Sequence, residues 1–378
     1  MDRYFSIARF MAVLVKEFVQ MRRDRLTFAM MVGIPIIQLI LFGFAINSDP
    51  KALPTAILAS DNSIFARSFV RAMENSGYFR VTRQLGSEEE ADQALARGEV
   101  QFVLTIPENF ARKLVRGERP VLLLEADATD PAATSNALAA LLSLNQTAFA
   151  RDLTGGLAQL QNAPPPYEVR VHRRYNPEGV TQYNIVPGLI GVILTMTMVM
   201  MTSLAMTRER ERGTMEHLLA TPVRPIEVMT GKIIPYIIVG YVQVTIILLA
   251  AKLLFGVPIV GSLLLLSAVL VLFMAANLAV GFTFSTLAKN QMQAMQMTFF
   301  FFLPSMLLSG FMFPFRGMPQ WAQWLGEVLP LTHFLRVVRG ILLKGNAAGE
   351  IAPQLWPIAA FLLVAAAIAL WRYRETVD

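Results

Sequence analysis

Residues 208–232 read RERERGTMEHLLATPVRPIEVMTGK and place a run of charges between two long apolar segments. Within this stretch, residues 214–220 predict a short helix bounded by Gly213 and Pro222, because Gly is unfavourable inside a helix and Pro cannot donate the next backbone hydrogen bond. Its apolar side chains share one side and are Met215, Leu218 and Leu219. Such a helix, held just outside a bilayer, is typical of a docking element. A solvated loop that only orients its two neighbouring spans is the alternative.

The composition indicates a membrane protein. Of the 378 residues, 54% are hydrophobic and 16% are charged, and the mean hydropathy is +0.49, which a soluble domain rarely tolerates. A net charge of +6 would suggest nucleic acid in a soluble protein, but here Lys and Arg flank the apolar segments, so no nucleic-acid partner is predicted. Because the chain has no cysteine, disulfides, thiol metal ligands and thiol nucleophiles are excluded.

The apolar segments predict an α-helical polytopic membrane protein with six transmembrane helices, each long enough to cross about 30 Å of hydrocarbon. Residues 1–25 precede them as a basic amphipathic helix, expected to lie in the headgroup plane on the cytoplasmic side. Residues 185–371 hold five of the spans, and residues 372–378 form a cytoplasmic tail. The predicted spans are residues 26–46, 185–206, 233–255, 262–287, 295–313 and 355–371.

Residues 47–184, between the first and second spans, predict a large extracytoplasmic α/β domain. Apolar runs of strand length alternate with charged helical stretches, which is typical of a sheet covered by helices. The predicted strands are residues 55–59, 78–83, 100–106, 121–125 and 167–171, and the predicted helices are residues 63–75, 87–97, 107–116 and 131–161. The domain sequence shows no metal cluster, phosphate loop or nucleophile–His pair. A binding or lid module is therefore predicted, with His172 at its surface.

Residues 314–353 are too interrupted for a span and too apolar for a solvated loop. Trp321 and Trp324 lie on one face of a predicted helix, and Trp favours the bilayer interface. A second predicted helix, residues 331–343, carries Arg336 and Arg339 beside apolar residues. We expect a pair of re-entrant or interfacial helices on the outer side, tolerated where protein or a water-filled cavity satisfies the backbone.

The distribution of Lys and Arg predicts that both termini and the 208–232 loop lie in the cytoplasm, because these residues concentrate in inside loops. One set of basic residues runs against this orientation, since it falls in the last predicted outer segment. Its members are Arg316, Arg336, Arg339 and Lys344.

The sequence contains neither a phosphate loop for ATP nor ionisable residues in the spans that could relay protons. No GxxxxGK[ST] phosphate loop occurs, so ATP binding of that kind is excluded, and we do not predict an enzyme. The predicted spans contain no Asp, Glu, His or Arg, which disfavours an ion-coupled secondary transporter. Interhelical hydrogen bonding and pore lining both remain open for their notable polar side chains, Gln38, Gln243 and Asn277. A membrane-anchored sensor or assembly scaffold is a further alternative, although it would need only one or two spans.

The 208–232 stretch resembles the loop between the second and third spans of ABC-2-type transporter permeases, the membrane subunits of ATP-driven exporters. The matching residues are Glu209, Arg212, Gly213, Thr214, Glu216, Leu218, Leu219, Pro222, Gly231 and Lys232. Further residues are similar to the family's pattern near its N-terminus and before its last span: Lys16, Glu17, Phe18, Arg23, Asp24, Ser309, Gly310, Phe313, Pro314, Met318, Pro319, Pro330, Leu331, Thr332, Arg339, Gly340, Lys344 and Gly345. The outer domain matches the family in placement more than in motif.

The resemblance implies the permease subunit of a bacterial ABC exporter of the drug-efflux-like branch, located in the inner membrane. It implies a dimer with a second copy or a sibling permease, working with two separate ABC ATPase subunits that bind ATP and Mg, and no cofactor in this chain. The lipid bilayer is the medium, and a periplasmic adaptor is a further candidate partner. An amphiphilic or drug-like substrate is expected.

Two sets of functional residues follow from the resemblance. The first is a coupling helix that fits into a cleft on the ATPase, with Glu209, Arg212, Gly213, Thr214, Met215, Glu216, Leu218, Leu219 and Pro222. The second is a candidate substrate path through the spans, with Met196, Met200, Gln243, Asn277, Phe300 and Met306.

Overall fold

The computed structural model describes residues 50–144, 147–150, 152–160, 165–211 and 225–375. The predicted amphipathic helix 1–25, the predicted first span 26–46 and residues 212–224 of the charged loop lie outside these described residues. Within the described ranges, an α/β domain is followed by a bundle of helices.

The α/β domain is built on a five-stranded mixed sheet. Its strands lie in the order β2-β1-β3-β4-β5; β3 and β4 are antiparallel, and the other neighbouring strands are parallel. All five predicted strands are present, with ends that shift by at most three residues. They are β1 (Leu53–Ala59), β2 (Phe79–Gln84), β3 (Phe102–Ile106), β4 (Val121–Asp127) and β5 (Glu168–Arg174).

Four helices pack on this sheet: α1 (Ile64–Asn75), α2 (Glu88–Ala96), α3 (Phe110–Val115) and α4 (Pro131–Leu144). Ser63 and Ser87 cap α1 and α2 by accepting hydrogen bonds from backbone N–H groups in the first turn. The helices α1, α3 and α4 contribute to the larger hydrophobic core on one face, whereas α2 packs on the other face against β1 and β3. The face covered by α2 is the one that later meets the bundle.

The predicted helix 131–161 is wrong in its length. α4 ends at Leu144, turns follow, and a separate 3-10 helix covers Gly155–Leu160. Two features require the break. Phe149 turns back into the core, where its ring lies 4.8 Å from that of Tyr167, and Gly155 adopts a left-handed conformation with φ of 62°. A continuous helix would satisfy neither.

The described part of the bundle contains α5 (Thr181–Glu211), α6 (Pro225–Leu253), α7 (Leu263–Leu287), α8 (Gln291–Leu308), α9 (Gln320–Val328), α10 (Pro330–Arg339) and α11 (Ala348–Glu375). Four of these helices, α5, α6, α7 and α11, are long and apolar enough to cross a membrane. They contain the predicted spans 185–206, 233–255, 262–287 and 355–371 apart from one or two terminal residues. Both α5 and α6 extend several residues into the predicted 208–232 loop.

The predicted fifth span, 295–313, is not confirmed as a membrane-crossing helix. α8 ends at Leu308 and is not among the four helices that meet the length and hydropathy of a span. Its first two turns are polar because they contain Gln291, Gln293 and Gln296. α8 nevertheless packs against α5, where the buried hydroxyls of Ser203 and Thr298 lie 3.1 Å apart. The described residues therefore support four of the six predicted spans, and the first predicted span lies outside them.

α7 lies at the centre of the bundle, between α5 and α11. Its Phe273 stacks on Phe334 of α10, with ring centroids 4.1 Å apart. Near its other end, Gly281 faces α5 so closely that a Cβ atom there would lie 2.5 Å from the carbonyl oxygen of Val199. Glycine is thus required for the approach of these two backbones, as is common where membrane helices pack closely.

Two of the long helices present apolar side chains to the surroundings. On α6 the exposed residues recur at helical spacing and are Ile238, Val242, Ile246, Leu249 and Leu253. On α11 they include Trp356, Leu363, Val364 and Trp371. Exposed apolar side chains are unfavourable in water but not in the hydrocarbon core of a bilayer, so these two surfaces suit contact with lipid.

Within residues 314–353 two helices form, as predicted, but they differ in burial. α9 exposes Trp324 and Val328, whereas α10 is almost wholly buried. The predicted second helix, 331–343, is divided: α10 ends at Arg339, and a π-helical turn, Gly340–Lys344, follows. The depth of this helix pair in a membrane stays a prediction.

Replacing Gly281 by Ala should destabilise the bundle by about 1–3 kcal/mol, because the new methyl group would force α5 and α7 apart. Gly349→Ala is the matched control, since a Cβ atom there meets no heavy atom within 4 Å. Thermal unfolding of the purified protein in neutral detergent measures both variants. A Gly281→Ala midpoint equal to or above that of Gly349→Ala would contradict the close packing.

Candidate functional site

A cleft of about 530 Å³ lies between the α/β domain and helices α9, α10 and α11. We call it the interdomain cleft. Its domain wall includes the residues just after α2 and the turn after β4, and its bundle wall includes α10, the π-helical turn and the start of α11. Many lining side chains are charged, namely Arg97, Glu99, Asp127, Asp130, Arg316, Glu327, Arg336, Arg339, Lys344 and Glu350.

A buried ion pair joins the two walls. Lys344 Nζ lies 2.6 Å from Asp127 Oδ2, and each side chain is only 8% exposed. The same Nζ donates a hydrogen bond to the carbonyl oxygen of Leu95 at 3.0 Å, and Asn346 Nδ2 donates to that of Ala96 at 3.0 Å. Both carbonyls belong to the last turn of α2, where a helix leaves acceptors without intrahelical donors and its dipole favours a cation. The end of α2 is therefore docked on the bundle.

Arg336 connects α9, α10 and α11. Its guanidinium donates two hydrogen bonds to the carboxylate of Glu327, at 2.6 and 3.0 Å, and a third to Gln354 Oε1 at 3.3 Å. It also lies over the ring of Phe315, 4.6 Å from the centroid. The ring nitrogens of buried His333 lie 2.8 Å from Gln354 Oε1 and from the carbonyl oxygen of Glu327. Paired guanidinium–carboxylate bonds are directional, so this network fixes how the three helices meet.

Two other guanidinium groups in the cleft have no carboxylate within 4.0 Å among the described residues. Arg316 Nη2 donates to the carbonyl oxygen of Gly98 at 2.8 Å. Arg339 donates through both Nη atoms to the carbonyl oxygen of Gly310, at 3.3 and 3.4 Å, while its buried Nε has no acceptor. Burial lowers the pKa of Arg316 to about 10 and also lowers the pKa of Arg339. Arg316 thus stays charged at neutral pH.

Asp130 lies beside these groups and links the domain to α5. Its Oδ1 accepts hydrogen bonds from the N–H of Ala132 at 3.2 Å and from Nδ2 of Asn184, in the first turn of α5, at 3.3 Å. Burial raises the pKa of this carboxyl, although the nearby charge of Arg339 opposes the shift. Burial therefore makes the ionisation of Asp130 more costly than in water, and Arg339 offsets part of that cost.

The opposite end of α5 meets the connection between α7 and α8. The backbone N–H of Gln291 donates to Glu211 Oε1 at 2.8 Å, and Arg208 Nε donates to Gln291 Oε1 at 3.4 Å. Hydrogen bonds from the side chain and backbone of Gln291 lower the pKa of the Glu211 carboxyl. At 31 residues, α5 is about 46 Å long, so these contacts and the interdomain cleft lie at the two ends of one helix.

Of the predicted coupling residues, Glu209 lies near the C-terminal end of α5. The others fall outside the described residues: Arg212, Gly213, Thr214, Met215, Glu216, Leu218, Leu219 and Pro222. Their role in coupling stays a prediction.

The residues of the candidate substrate path differ in burial. Asn277 is fully buried, and its Nδ2 donates to the carbonyl oxygen of Phe273 within α7 at 2.9 Å. Gln243 Nε2 donates to Thr197 Oγ1 of α5 at 3.4 Å, whereas Phe300 is 38% exposed. The three methionines are half-buried and are Met196, Met200 and Met306. Interhelical hydrogen bonding accounts for Gln243, and a common path stays a prediction.

The sequence analysis missed the interdomain cleft, although a signal was present. The four basic residues that opposed the predicted orientation all line it: Arg316, Arg336, Arg339 and Lys344. His172 is exposed, as predicted, with 58% of its side chain accessible. Among the described residues, no group of His, Asp and Glu is placed to hold a metal ion.

Asp127→Asn should destabilise the folded protein by about 3–5 kcal/mol, because the ammonium group of Lys344 would be left buried without a counter-ion. Glu168→Gln is the matched control, since it removes a carboxylate from an exposed pair with Arg170. Thermal unfolding of the purified chain compares them. A double replacement, Asp127→Leu with Lys344→Met, should recover most of the loss, and equal midpoints for the two single variants would contradict a structural role of the buried pair.

Asp130→Asn should have the opposite effect at neutral pH. The pKa of Asp130 is raised above its ordinary value of 3.8, so this group contributes stability below that value and loses the contribution as the pH rises through the raised pKa. The amide avoids the cost of a buried charge. We expect the variant to be more stable than the parent at pH 7 and the difference to shrink toward pH about 4. Unfolding midpoints of the variant and the parent are measured across this pH range. A difference between the two that stays constant with pH would contradict the prediction.

Comparison of the sequence with known proteins identifies its family. A family model described as "ABC-2 family transporter protein" matches residues 25–371. The chain is 30% identical over 376 residues to "Probable multidrug ABC transporter permease YbhS" of Escherichia coli (strain K12), covering 96% of this chain and 94% of that protein. It is 28% identical over 369 residues to "Probable multidrug ABC transporter permease YbhR" of the same strain, covering 98% and 99%. "Inner membrane transport permease YhhJ", also of that strain, is 28% identical over 361 residues, covering 90% and 93%.

Since these matches include the α/β domain, the charged loop and the bundle alike, the chain belongs to the ABC-2 family of transporter proteins and is a membrane permease.

Proposed function

We propose that this permease is the membrane subunit of an ATP-driven ABC exporter in the bacterial inner membrane. It moves an amphiphilic or drug-like substrate out of the cytoplasm or the inner leaflet. A separate ABC ATPase binds ATP and Mg and docks on residues 208–232. One observation carries the proposal: α5 is a single helix that begins beside the interdomain cleft and ends inside the predicted docking loop.

The need for a separate motor follows from the chemistry of the spans. Residues 185–206, 233–255, 263–287 and 355–371 contain no Asp, Glu, His or Arg. Ion-coupled carriers use such groups within the membrane to bind and release the coupling ion. Because these spans lack side chains that could bind a coupling ion, hydrolysis of ATP on a partner chain supplies the energy for transport. The names of the relatives, two multidrug permeases and one transport permease, support the same assignment.

The orientation of the chain is supported by two contacts. The Lys344–Asp127 pair requires residues 47–184 and 314–353 to lie on the same side of the membrane, which we assign as extracytoplasmic. The contact of Glu211 with Gln291 supports the assignment of the 208–232 loop and the α7–α8 connection together to the other side. We assign both termini to that side as well. The basic residues of 314–353 then serve ion pairing and hydrogen bonding to the domain, and they no longer oppose the positive-inside rule.

The exporter works as a dimer with a second copy of this chain or a sibling permease. The apolar stripes of α6 and α11 offer surface for lipid and for that second subunit. A periplasmic adaptor would meet the α/β domain, which projects from the domain end of α5. The ATPase can shift the permease from one conformation to another only if it binds the two permease conformations with different affinity.

Leu218→Asp and Glu216→Lys should each release the ATPase and abolish ATP-dependent export. Burying a carboxylate in an apolar docking cleft, or reversing a charge at its rim, costs an interface about 2 kcal/mol or more, which weakens binding about 30-fold. Copurification of the ATPase with tagged permease, and stimulated ATP hydrolysis in proteoliposomes, measure the effect.

Glu178→Lys is the control for this experiment, because it reverses an exposed charge at the domain end of α5. It should leave both copurification and hydrolysis unchanged. Full coupling in Leu218→Asp, or export of solute by the permease alone without any ATPase, would overturn the proposed function.

A further inference from the structure

The interdomain cleft is lined by five cationic and five acidic side chains, but two of the cations have no carboxylate within 4.0 Å among the described residues. Three of its lining cations have carboxylate partners: Arg97 with Glu99, Arg336 with Glu327, and Lys344 with Asp127. Arg316 and Arg339, by contrast, contact only carbonyl oxygens among the described residues. A largely buried cation without a counter-ion is costly, and proteins retain such groups mainly where a ligand or partner supplies the missing charge.

Among the described residues, neither of the remaining lining carboxylates, Asp130 and Glu350, lies within 4.0 Å of these two guanidinium groups. Asp130 accepts hydrogen bonds from Ala132 and Asn184. Glu350 accepts a hydrogen bond from the backbone N–H of Ala347 at the start of α11. Burial lowers the pKa of both Arg316 and Arg339; the charge of Arg336 lowers both further, whereas the charge of Asp127 raises both.

From this geometry we infer that the interdomain cleft binds an oxyanion, the phosphate or carboxylate head group of an amphiphile, through Arg316 and Arg339. A guanidinium group presents a planar fork of N–H donors that matches two oxygens of either anion. The buried Nε of Arg339, which has no acceptor, supplies a donor for such a ligand. The volume of about 530 Å³ accommodates a head group.

An amphiphile is favoured over a free anion because the charged cleft adjoins an apolar surface. α9 contributes Gln323 and Glu327 to the cleft, while its Trp324 and Val328 are 67% and 65% exposed. A head group bound in the cleft would thus leave its hydrocarbon tail along the exposed face of α9. This inference rests on the proposed function only in making the bound amphiphile a transport substrate; the binding site itself does not require the ATPase.

The test is calorimetric titration of the purified full-length permease in neutral detergent with three probes. Dihexanoylphosphatidylglycerol is an anionic amphiphile, dihexanoylphosphatidylcholine is its zwitterionic counterpart, and inorganic phosphate is a free oxyanion. We expect saturable binding of the anionic lipid, weaker binding of the zwitterionic lipid, and a loss of affinity of about 10- to 100-fold in Arg316→Gln, as expected for charge-assisted hydrogen bonds.

Two variants separate ligand binding from folding. Arg112→Gln removes an exposed cation from α3 and should bind as the parent does. Arg316→Lys keeps the charge and loses the planar fork, so it should show intermediate affinity even if Arg316→Gln fails to fold. If Arg316→Lys elutes like the parent in size-exclusion chromatography and binds with intermediate affinity, Arg316 does more than hold Gly98 of the domain in place.

Three results would overturn the inference: equal affinity for the two lipids, no binding of the anionic lipid, or unchanged affinity in a folded Arg316→Lys. Phosphate that binds as tightly as the anionic lipid would support the oxyanion site but overturn its assignment to an amphiphile. Because the titration contains no ATPase, loss of ATP-coupled export and loss of head-group binding are independent outcomes.

Discussion

The buried ion pair of Lys344 and Asp127 is the constraint that holds the α/β domain against the helical bundle. The two residues are 217 positions apart, and they join the domain that precedes α5 to the turn that precedes α11. Removing two charges from water is expensive, so such a pair persists only with good geometry and further hydrogen bonds. Both conditions hold: Nζ also meets the end of α2, and Asp127 Oδ1 accepts from the hydroxyl of Thr129 at 2.8 Å. The domain is therefore docked in one orientation and is not a freely tethered module.

The turn that carries Lys344 is itself positioned by the bundle. Gly340–Lys344 is π-helical, and the N–H of Val260, in the connection between α6 and α7, donates to the carbonyl oxygen of Leu342 at 3.0 Å. Gly261 lies directly against Ile341, where no side chain would fit. Irregular backbone is tolerated within a helical bundle when protein surrounds it, and π-helical turns occur often at functional sites. Three parts of the chain thus meet at one turn, and a shift in any of them changes the interdomain cleft.

Local pattern explains what could be predicted from the sequence. The five strands were predicted because short apolar runs bounded by turns are local features, and four spans because length and hydropathy need no knowledge of neighbours. The helix 131–161 failed because the inward turn of Phe149 is decided by the core around Tyr167. The interdomain cleft was missed because the contacts that join the domain to the bundle link residues more than 200 positions apart. Its one signal, the basic residues of 314–353, was set against the positive-inside rule, which assigns basic residues by position along the chain. Coupling residues such as Glu216 and Leu218 remain predictions from resemblance.

α5 sets the limit on how the two ends of the permease can act on each other. At its domain end, Gly188 and Gly191 lie against Phe311, Leu331 and Phe334, where an added Cβ atom would come within 3 Å of each ring or side chain. At its far end it ends beside Gln291. A helix packed this closely cannot slide past α10 in small steps, because close-packed interfaces have discrete arrangements. A force applied near Glu211 must therefore either move α5 and α10 together, carrying the wall of the cleft with them, or break the glycine contacts. The first alternative preserves the packing of α5 on α10, and Asn184 of α5, which donates to Asp130 of the domain wall, would move with it.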